Sequence, residues 1–201
     1  MPIIASRASA AYGAGFAAIT AIPYQGPFGA YDALATVTVG ATPVGNITFA
    51  GIPAGYKHLQ LRYIARSNNS GSDGNASTGI RFNSDGGNNY ASHQLSGGGG
   101  GGAPVAGAFT GQAYIFGFMV AGGLSGANTF GLGIIDILDY DSTSKNKTLR
   151  TLNAYDNNGS GTTRMASGLW MNTSPITSIF IDGRDGFSFT QHSQFALYGV
   201  R

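Results

Sequence analysis

Residues 56–95, YKHLQLRYIARSNNSGSDGNASTGIRFNSDGGNNYASHQL, contain the clearest strand in the chain. Side chains alternate over residues 58–66, which places Leu59, Leu61 and Tyr63 together on one face. The other face carries mostly polar side chains, and such alternation is typical of an antiparallel strand that is buried on one side. We therefore predict a central strand here, with the core on one side and solvent on the other.

Two polar segments follow this strand, and both are suited to chain reversal. Residues 67–78 cannot bury apolar area and include the Asp73-Gly74 pair, which accepts turn geometry. Residues 83–89 form a second cluster of Asn, Ser, Asp and Gly. Because a short apolar run follows each segment, we expect three consecutive strands that pair with one another as a β-meander.

Apolar and β-branched runs predict further strands along the chain. Those at 34–39 and 46–50 flank a turn with glycine and proline and form a predicted hairpin. Those at 112–120 and 130–140 are apolar enough to be buried on both faces. Later strands are predicted at 145–155, 164–172, 176–182 and 194–200.

Two glycine-containing segments predict connections between these strands. The Asn158-Gly159 pair is a strong signal for a hairpin. Six consecutive glycines at 97–102 form the segment of lowest complexity, and we predict a flexible loop there. A phosphate-binding loop would need a preceding strand, a following helix and a lysine or serine at a fixed place, which this segment lacks.

The composition favours an all-β fold with one main domain. All nine acidic residues are aspartates and only three lysines occur, so the strongest charged helix formers are almost missing. About ten predicted strands separated by turns are typical of an antiparallel β-sandwich, which we place at residues 34–201. Its predicted core contains Leu59, Leu61, Tyr63, Phe82, Ile135, Ile137, Phe195 and Leu197.

Residues 1–33 form a separate unit that is rich in Ala and Gly, contains three prolines and has no stable periodicity. A flexible tail is the simplest interpretation of such a terminus. We predict instead an extended N-terminal arm, whose ordering costs roughly 1–2 kcal/mol per residue and is offset only by burial against a partner. Such an arm would dock onto other subunits through the apolar residues Ile3, Ile4, Tyr12, Phe16, Ile19, Ile22, Tyr24 and Phe28.

Residues that could carry catalysis are few. Charged residues are 10% of the chain, against about 25% in an ordinary soluble protein, and neither cysteine nor glutamate occurs. The three histidines share no short motif with a second ligand, and Asp139 with Asp141 is too small a set for a calcium loop. We therefore predict a protein that is not an enzyme, with no catalytic residue, no metal and no cofactor.

Charge and hydropathy restrict the partners. The net charge of +2 comes from scattered residues, so no phosphate-binding stripe is present and nucleic acid is not expected as a partner. Glycine and serine interrupt every N-terminal apolar run, so we expect neither a membrane partner nor export from the cytoplasm where the chain is made. Open sheet edges on a chain of low charge need protection, and we therefore expect a homo-oligomer.

Trp170, the only tryptophan, has two possible roles. A core position is the simpler interpretation. An exposed ring would instead stack on the apolar face of a sugar. Tyr155 and the aspartates Asp182 and Asp185 could then complete a glycan site.

Several stretches resemble small virion proteins of tailed bacteriophages. They are MPIIAS at the start, ASAAYGAG at 8–15, GYKHLQLR at 55–62, RFNSD at 81–85, Asn89-Tyr90 and SQFALYGVR at 193–201. The resemblance spans most of the chain and brings no catalytic motif with it. It implies a β-sandwich of jelly-roll type, a trimer and a location on the virion.

Within that group, we favour a head decoration or cement protein that binds the major capsid protein or other virion subunits. The many small residues of this chain suit a close approach of its backbone to neighbouring subunits. The alternative is a tail-fibre or receptor-binding module that recognises glycans on the host surface. A third possibility, a glycan hydrolase, needs two carboxylates at catalytic separation, and only aspartate is available for them.

Overall fold

The computed structural model describes residues 17–18, 29–70, 75–99 and 101–201. In these ranges it consists of strands and one short 3-10 helix, Arg184–Gly186, with no α-helix. The strands are β1 (Ala17–Ala18), β2 (Tyr31–Thr38), β3 (Asn46–Ala50), β4 (His58–Ala65), β5 (Asn75–Phe82), β6 (Tyr90–Gly98), β7 (Val105–Gln112), β8 (Ile115–Ala121), β9 (Gly131–Leu138), β10 (Lys147–Asp156), β11 (Gly161–Trp170), β12 (Ser178–Gly183) and β13 (Gln194–Val200).

The strands form two sheets that pack on each other. The larger sheet has eight strands in the order β2-β13-β4-β9-β10-β11-β6-β7, and the smaller has five in the order β1-β3-β12-β5-β8. Neighbouring strands are antiparallel, apart from the short β1, which runs parallel to β3. The predicted antiparallel all-β sandwich is therefore confirmed.

The core lies between the two sheets and contains every residue predicted for it. Tyr63 is 5% exposed, and the other seven are fully buried. The alternation in β4 has the predicted effect, because Leu59, Leu61 and Tyr63 face the smaller sheet's apolar side chains. Trp170 is also in the core.

Tyr63 connects the two sheets. Its hydroxyl donates a hydrogen bond of 2.8 Å to the carbonyl of Met119 in β8, and burial raises the pKa of Tyr63. Its ring passes over Gly133, its register partner in β9, where a Cβ atom would lie 2.5 Å from the ring. Gly133 is therefore required by this close approach rather than by a turn.

The predicted β-meander is wrong. β4 pairs with β9 and β13 in the larger sheet, whereas the next strand, β5, pairs with β8 and β12 in the smaller sheet. The polar segments after β4 and β5 each carry the chain from one sheet to the other. Turn residues signal that the chain changes direction, and they do not identify the strand's partner.

The predicted hairpin of residues 34–39 with 46–50 is also wrong. β2 pairs with β13 at the edge of the larger sheet, and β3 pairs with β12 in the smaller sheet. Both partners come from the C-terminal quarter of the chain. Such long-range pairing leaves no signal in the local pattern.

Two apolar runs differ from their predictions. Residues 112–120 are not one strand, because β7 ends at Gln112 and β8 begins at Ile115. β9 is not buried on both faces, since its residues alternate strictly between buried and more exposed positions. The smaller sheet covers only one face of β9, and nothing in the described chain covers the other.

The glycine run lies at the β6–β7 connection but is partly inside a strand. Gly97 and Gly98 pair with β11, so the predicted loop is shorter than its six glycines. The Asn158-Gly159 hairpin is confirmed, because these residues join β10 to β11 with φ angles of 51° and 99°. Positive φ at both central residues is what a type I′ turn requires.

Candidate docking face on the eight-stranded sheet

An apolar row crosses the outer face of the larger sheet, the face that points away from the smaller sheet. Leu95 in β6 is the register partner of Met165 in β11, Met165 is that of Leu152 in β10, and Leu152 is that of Ile134 in β9. Their exposed fractions are 53%, 59%, 53% and 40%. We call these four residues the apolar row.

A second apolar pair lies two residues along the strands from this row. Leu132 in β9 and Ile64 in β4 are register partners, with exposed fractions of 56% and 49%. Single exposed apolar residues are ordinary, but contiguous apolar patches on soluble monomers are uncommon and mark interaction sites. The outer face of the larger sheet is therefore the candidate functional surface.

Polar side chains border the apolar row on the opposite side. Asp136 accepts hydrogen bonds from Gln60 Nε2 at 2.7 Å and from Arg150 Nε at 2.9 Å. Arg62 Nε donates to Gln60 Oε1 at 2.6 Å, and its guanidinium lies 5.2 Å from the centre of the Tyr31 ring. These contacts hold the polar side chains in place along the edge of the row.

A shallow groove of about 690 Å³ follows this border. Its walls include the whole apolar row on one side and Gln60, Asp136 and Arg150 on the other. An apolar centre with a hydrogen-bonded polar rim is the usual composition of a protein–protein interface.

The structure places Trp170 and Tyr155 away from any outer surface. Trp170 is 1% exposed, with Phe82 and Tyr90 at ring-centre distances of 5.6 and 6.3 Å. Tyr155 is 8% exposed. Neither ring offers an open face to a sugar, so the predicted stacking site is replaced by the core role.

Asp85 completes the environment of Trp170. Its Oδ2 atom accepts a hydrogen bond of 2.7 Å from Trp170 Nε1, and its Oδ1 atom accepts one of 2.8 Å from the Gly87 amide. The Trp170 hydrogen bond is the main reason that the pKa of Asp85 lies below its usual value. The turn at 83–89 therefore satisfies the one polar atom of a buried ring.

The other predicted contact residues divide into two groups. Asp182 forms an ion pair with Arg81 at 3.3 Å on the smaller sheet, whereas the side chain of Asp185 lies outside the described part of the structure. The predicted arm contacts all lie outside the described residues: Ile3, Ile4, Tyr12, Phe16, Ile19, Ile22, Tyr24 and Phe28. Within the predicted arm, Ala17 and Ala18 pair with Phe49 and Ala50 of β3.

The acidic residues of the described chain are used in ion pairs and turns. Asp139, which with Asp141 is too small a set for a calcium loop, is 2.6 Å from Lys145 Nζ and 3.1 Å from Lys57 Nζ. Lys145 first, and then Lys57, lowers the pKa of Asp139 to about 2. No group of three metal-ligating side chains occurs among the described residues.

A cluster of arginines and aromatic rings lies on the outer face of the smaller sheet. The Arg184 guanidinium is 4.2 Å from the centre of the Tyr114 ring and 4.3 Å from that of Phe116. The Arg81 guanidinium is 6.0 Å from the Tyr114 ring and 5.6 Å from that of Phe180. We call these five residues the arginine–aromatic cluster.

Sequence reasoning missed both surfaces, although one of them left a signal. In β9, apolar residues occupy both faces of the strand. Ile135 and Ile137 lie on one face, and Leu132 and Ile134 lie on the other. That pattern predicts burial on both sides, and it fits a strand with one covered and one exposed apolar face equally well. The arginine–aromatic cluster joins three strands and left no local pattern.

No helix in the described part of the chain is long and apolar enough to span a membrane. Comparisons with known proteins add no relative. No family model, curated protein or solved structure matches the chain.

Proposed function

We propose that this protein is a non-enzymatic structural component of a bacteriophage virion, a head decoration protein that binds the capsid surface and stabilises the shell. The observation that carries the proposal is the apolar row on the outer face of the larger sheet. A folded sandwich gains nothing from four adjacent apolar side chains in water. Burying them against another protein would be worth about 25 cal/mol for each Å² removed from solvent.

The partner in this proposal is a capsid subunit. The rim of the face carries both signs of charge, Asp136 and Arg150 with Arg62, so it suits a mixed polar surface rather than a polyanion. Arg150 is 77% exposed and can reorient to a partner, whereas Asp136 is held by two donors.

The resemblance to phage virion proteins is the reason for proposing that the particle is a virion. Its stretches at 55–62 and 193–201 overlap the neighbouring strands β4 and β13, the third and second strands from one edge of the larger sheet. In this proposal the sandwich has the jelly-roll connectivity of that group and forms a trimer. The arm at residues 1–33 adds contacts to adjacent subunits, since its apolar residues are spaced along it rather than clustered.

Attachment to particles tests the proposal. Leu152→Asp with Met165→Asp introduces two charges into the apolar row, while both positions keep exposed side chains that the fold tolerates. We expect the double variant to fold, to keep the oligomeric mass of the wild type in solution, and to be lost from purified particles. Deletion of residues 1–16, which leaves β1 and β2 intact, should likewise lower occupancy and leave the sandwich folded.

The matched control is Leu124→Asp, because Leu124 is 57% exposed and lies in the connection between β8 and β9, away from the row. Occupancy is measured by quantitative mass spectrometry of particles, and release by mild heating. Full occupancy of the double variant, or equal loss of the control, would contradict attachment through this face. Failure to detect the wild-type chain in any particle would contradict the virion assignment.

The second candidate function is a tail-fibre or receptor-binding module that recognises host glycans. The arginine–aromatic cluster favours it, because stacked guanidinium and aromatic groups are common in ligand recognition. It would use the opposite face of the sandwich. The two functions therefore predict different effects for the Leu152 and Met165 variants.

A further inference from the structure

The β2 edge of the larger sheet is protected against pairing with another strand. Asp32 of β2 forms an ion pair of 2.8 Å with Arg201. The register of β2 with β13 also shifts between Ala33 and Ala35. Charged side chains and irregular register are two of the ways in which proteins prevent edge strands from associating.

The edges of the smaller sheet are protected in other ways. β1 comprises two residues in the described chain, and so short a strand offers little to a partner. At the opposite edge, the Met119 carbonyl of β8 accepts a hydrogen bond of 2.8 Å from the Tyr63 hydroxyl. The Ala121 carbonyl accepts one of the same length from the Ser67 amide. Backbone groups that another strand would need are therefore already in use.

The β7 edge of the larger sheet has none of these protections. Among the described strands, only β6 pairs with β7. The register of this pair is regular from Val105 to Phe109 and shifts before Gln112. The regular segment, VAGAF, contains neither a charged residue nor a proline, and Val105 is 60% exposed. An uncharged edge with unpaired backbone groups is a template for another strand.

The VAGAF segment is complementary to itself in antiparallel pairing. A twofold axis at Gly107 would place Val105 opposite Phe109 of a second copy, and Ala106 opposite Ala108. Val105 and Phe109 point to the same side of the strand, and a β-branched residue opposite an aromatic one is a favourable pair. The two alanines on the other side are small, and no like charges meet.

We propose that β7 pairs with β7 of a second copy of this chain, in antiparallel orientation and centred on Gly107. The contact joins two eight-stranded sheets into one continuous sheet and covers Val105 in both copies. A second copy fits this edge better than a strand of another protein does. One twofold contact satisfies the open edges of both partners at once, whereas a foreign strand would leave its own outer edge open.

This contact goes beyond the decoration role and is additional to the proposed trimer. A twofold axis relates two copies, so the contact would join copies that belong to different trimers. It uses the edge of the larger sheet, whereas capsid docking uses the outer face. The particle experiment measures attachment to a shell, and the experiments below measure contact between copies in solution. A failure of one is therefore distinguishable from a failure of the other.

Cysteine cross-linking of the full chain tests the pairing, because the chain has no cysteine of its own. Opposed Cα atoms in an antiparallel pair are about 4.5–5.5 Å apart, which is within disulfide range. We expect Gly107→Cys to form disulfide-linked dimers under mild oxidation. A Cβ atom at Gly107 meets its nearest neighbours at 3.4 Å, so the strand accommodates the change. Thr36→Cys, at an exposed position of the β2 edge, is the matched control and should not cross-link.

Two further variants test the register. Ala106→Cys and Ala108→Cys should each cross-link poorly alone, because identical positions lie on a diagonal of about 7–8 Å. An equimolar mixture should give at least tenfold more cross-linked dimer than either variant alone, since residues 106 and 108 are then directly opposed. This mixture also keeps the test decisive if Gly107→Cys folds poorly.

Val105→Lys tests the contact without a cross-link. It places a charge on an exposed position of the edge, which the folded chain tolerates. We expect the dissociation constant of the twofold contact, measured by analytical ultracentrifugation, to rise at least tenfold. Thr36→Lys on the β2 edge is the matched control and should associate as the wild type does.

Several outcomes would overturn the proposal. They are equal cross-linking of Gly107→Cys and Thr36→Cys, no excess of dimer in the Ala106→Cys and Ala108→Cys mixture, and unchanged association of Val105→Lys. If Val105→Lys weakened binding to particles and left association between copies unchanged, a strand of another protein would occupy the edge. That result would also overturn the assignment of a second copy as the partner.

Discussion

The two faces of the eight-stranded sheet contain similar residues and have different roles. In β9, Ile135 and Ile137 are fully buried, whereas Ile134 is 40% and Leu132 is 56% exposed. The same contrast occurs in β10, where Leu149 is 3% and Leu152 is 53% exposed. Residue type therefore does not decide which face becomes the core. The decisive factor is the smaller sheet, which covers one face and leaves the other open.

The contrast has an energetic consequence. Complete burial of a Leu or Ile side chain contributes about 1.5–3 kcal/mol relative to exposure. The side chains of the inner face contribute this free energy when the chain folds. The outer face can realise it only when another molecule covers it, so its side chains should affect association more than stability. Three pairs of variants test this difference and the polar groups at the margins of the sheet.

The largest effect is expected for Leu61→Ala on the inner face. Leu61 is fully buried, and its truncation should lower the free energy of unfolding by about 2–5 kcal/mol through lost burial and the remaining cavity. Leu152→Ala on the outer face should change it by less than about 0.5 kcal/mol. Urea unfolding measures both values. Equal losses in the two variants would show that the faces do not differ as described.

A smaller effect is expected for Asp85→Ala at the margin of the inner face. This change leaves the Trp170 indole N–H buried without its 2.7 Å acceptor, which should cost about 1–3 kcal/mol. Asp156→Ala is the matched control, because among the described residues only the Asn158 amide, in an exposed turn, donates a hydrogen bond to Asp156. Unfolding followed by Trp170 fluorescence measures both. A loss in the control as large as that in Asp85→Ala would refute the role of the indole contact.

The smallest effect is expected for Asp139→Asn at the end of β9, where Asp139 contacts two largely exposed lysines. The pKa of Asp139 is lowered to about 2, first by Lys145, and an unfolded aspartate titrates near 3.9. The ionised form therefore stabilises the fold above about pH 4, and this contribution is lost as the pH falls toward 2.

Melting temperatures of the wild type and Asp139→Asn between pH 2 and pH 6 test this dependence. The difference between the two proteins should be largest at pH 6 and should shrink toward pH 2, and Lys145→Met should behave in the same way. High salt should reduce the difference because the pair is near the surface. A difference that does not vary with pH would show that the ion pairs are not its cause.

Part of the fold could be predicted because it depends on neighbours in sequence. Alternation in β4 identified the buried residues Leu59, Leu61 and Tyr63, and the Asn158-Gly159 pair identified the β10–β11 hairpin. The near absence of charged helix formers indicated an all-β chain. In each case the physical cause acts within a few residues, as side-chain parity, turn geometry or backbone preference.

The pairing of the strands could not be predicted in this way. β2 lies beside β13, and β3 beside β12, across more than half of the chain. Hydrogen bonds between strand backbones are nearly independent of the side chains. The partner is therefore chosen by the total packing of the sandwich, and no short segment contains that information.

The candidate surfaces also combine features that the sequence determines with features that only the folded chain determines. The sequence by itself determined that β9 has apolar residues at both parities, that Trp170 is the only tryptophan and that no acid–base or metal motif is present. Only the tertiary structure decided which parity of β9 is covered, that Trp170 is inside, and that Arg81 and Arg184 meet around Tyr114. The physical reason is that exposure and stacking depend on strands brought together across the two sheets, whereas parity and composition belong to the chain before it folds.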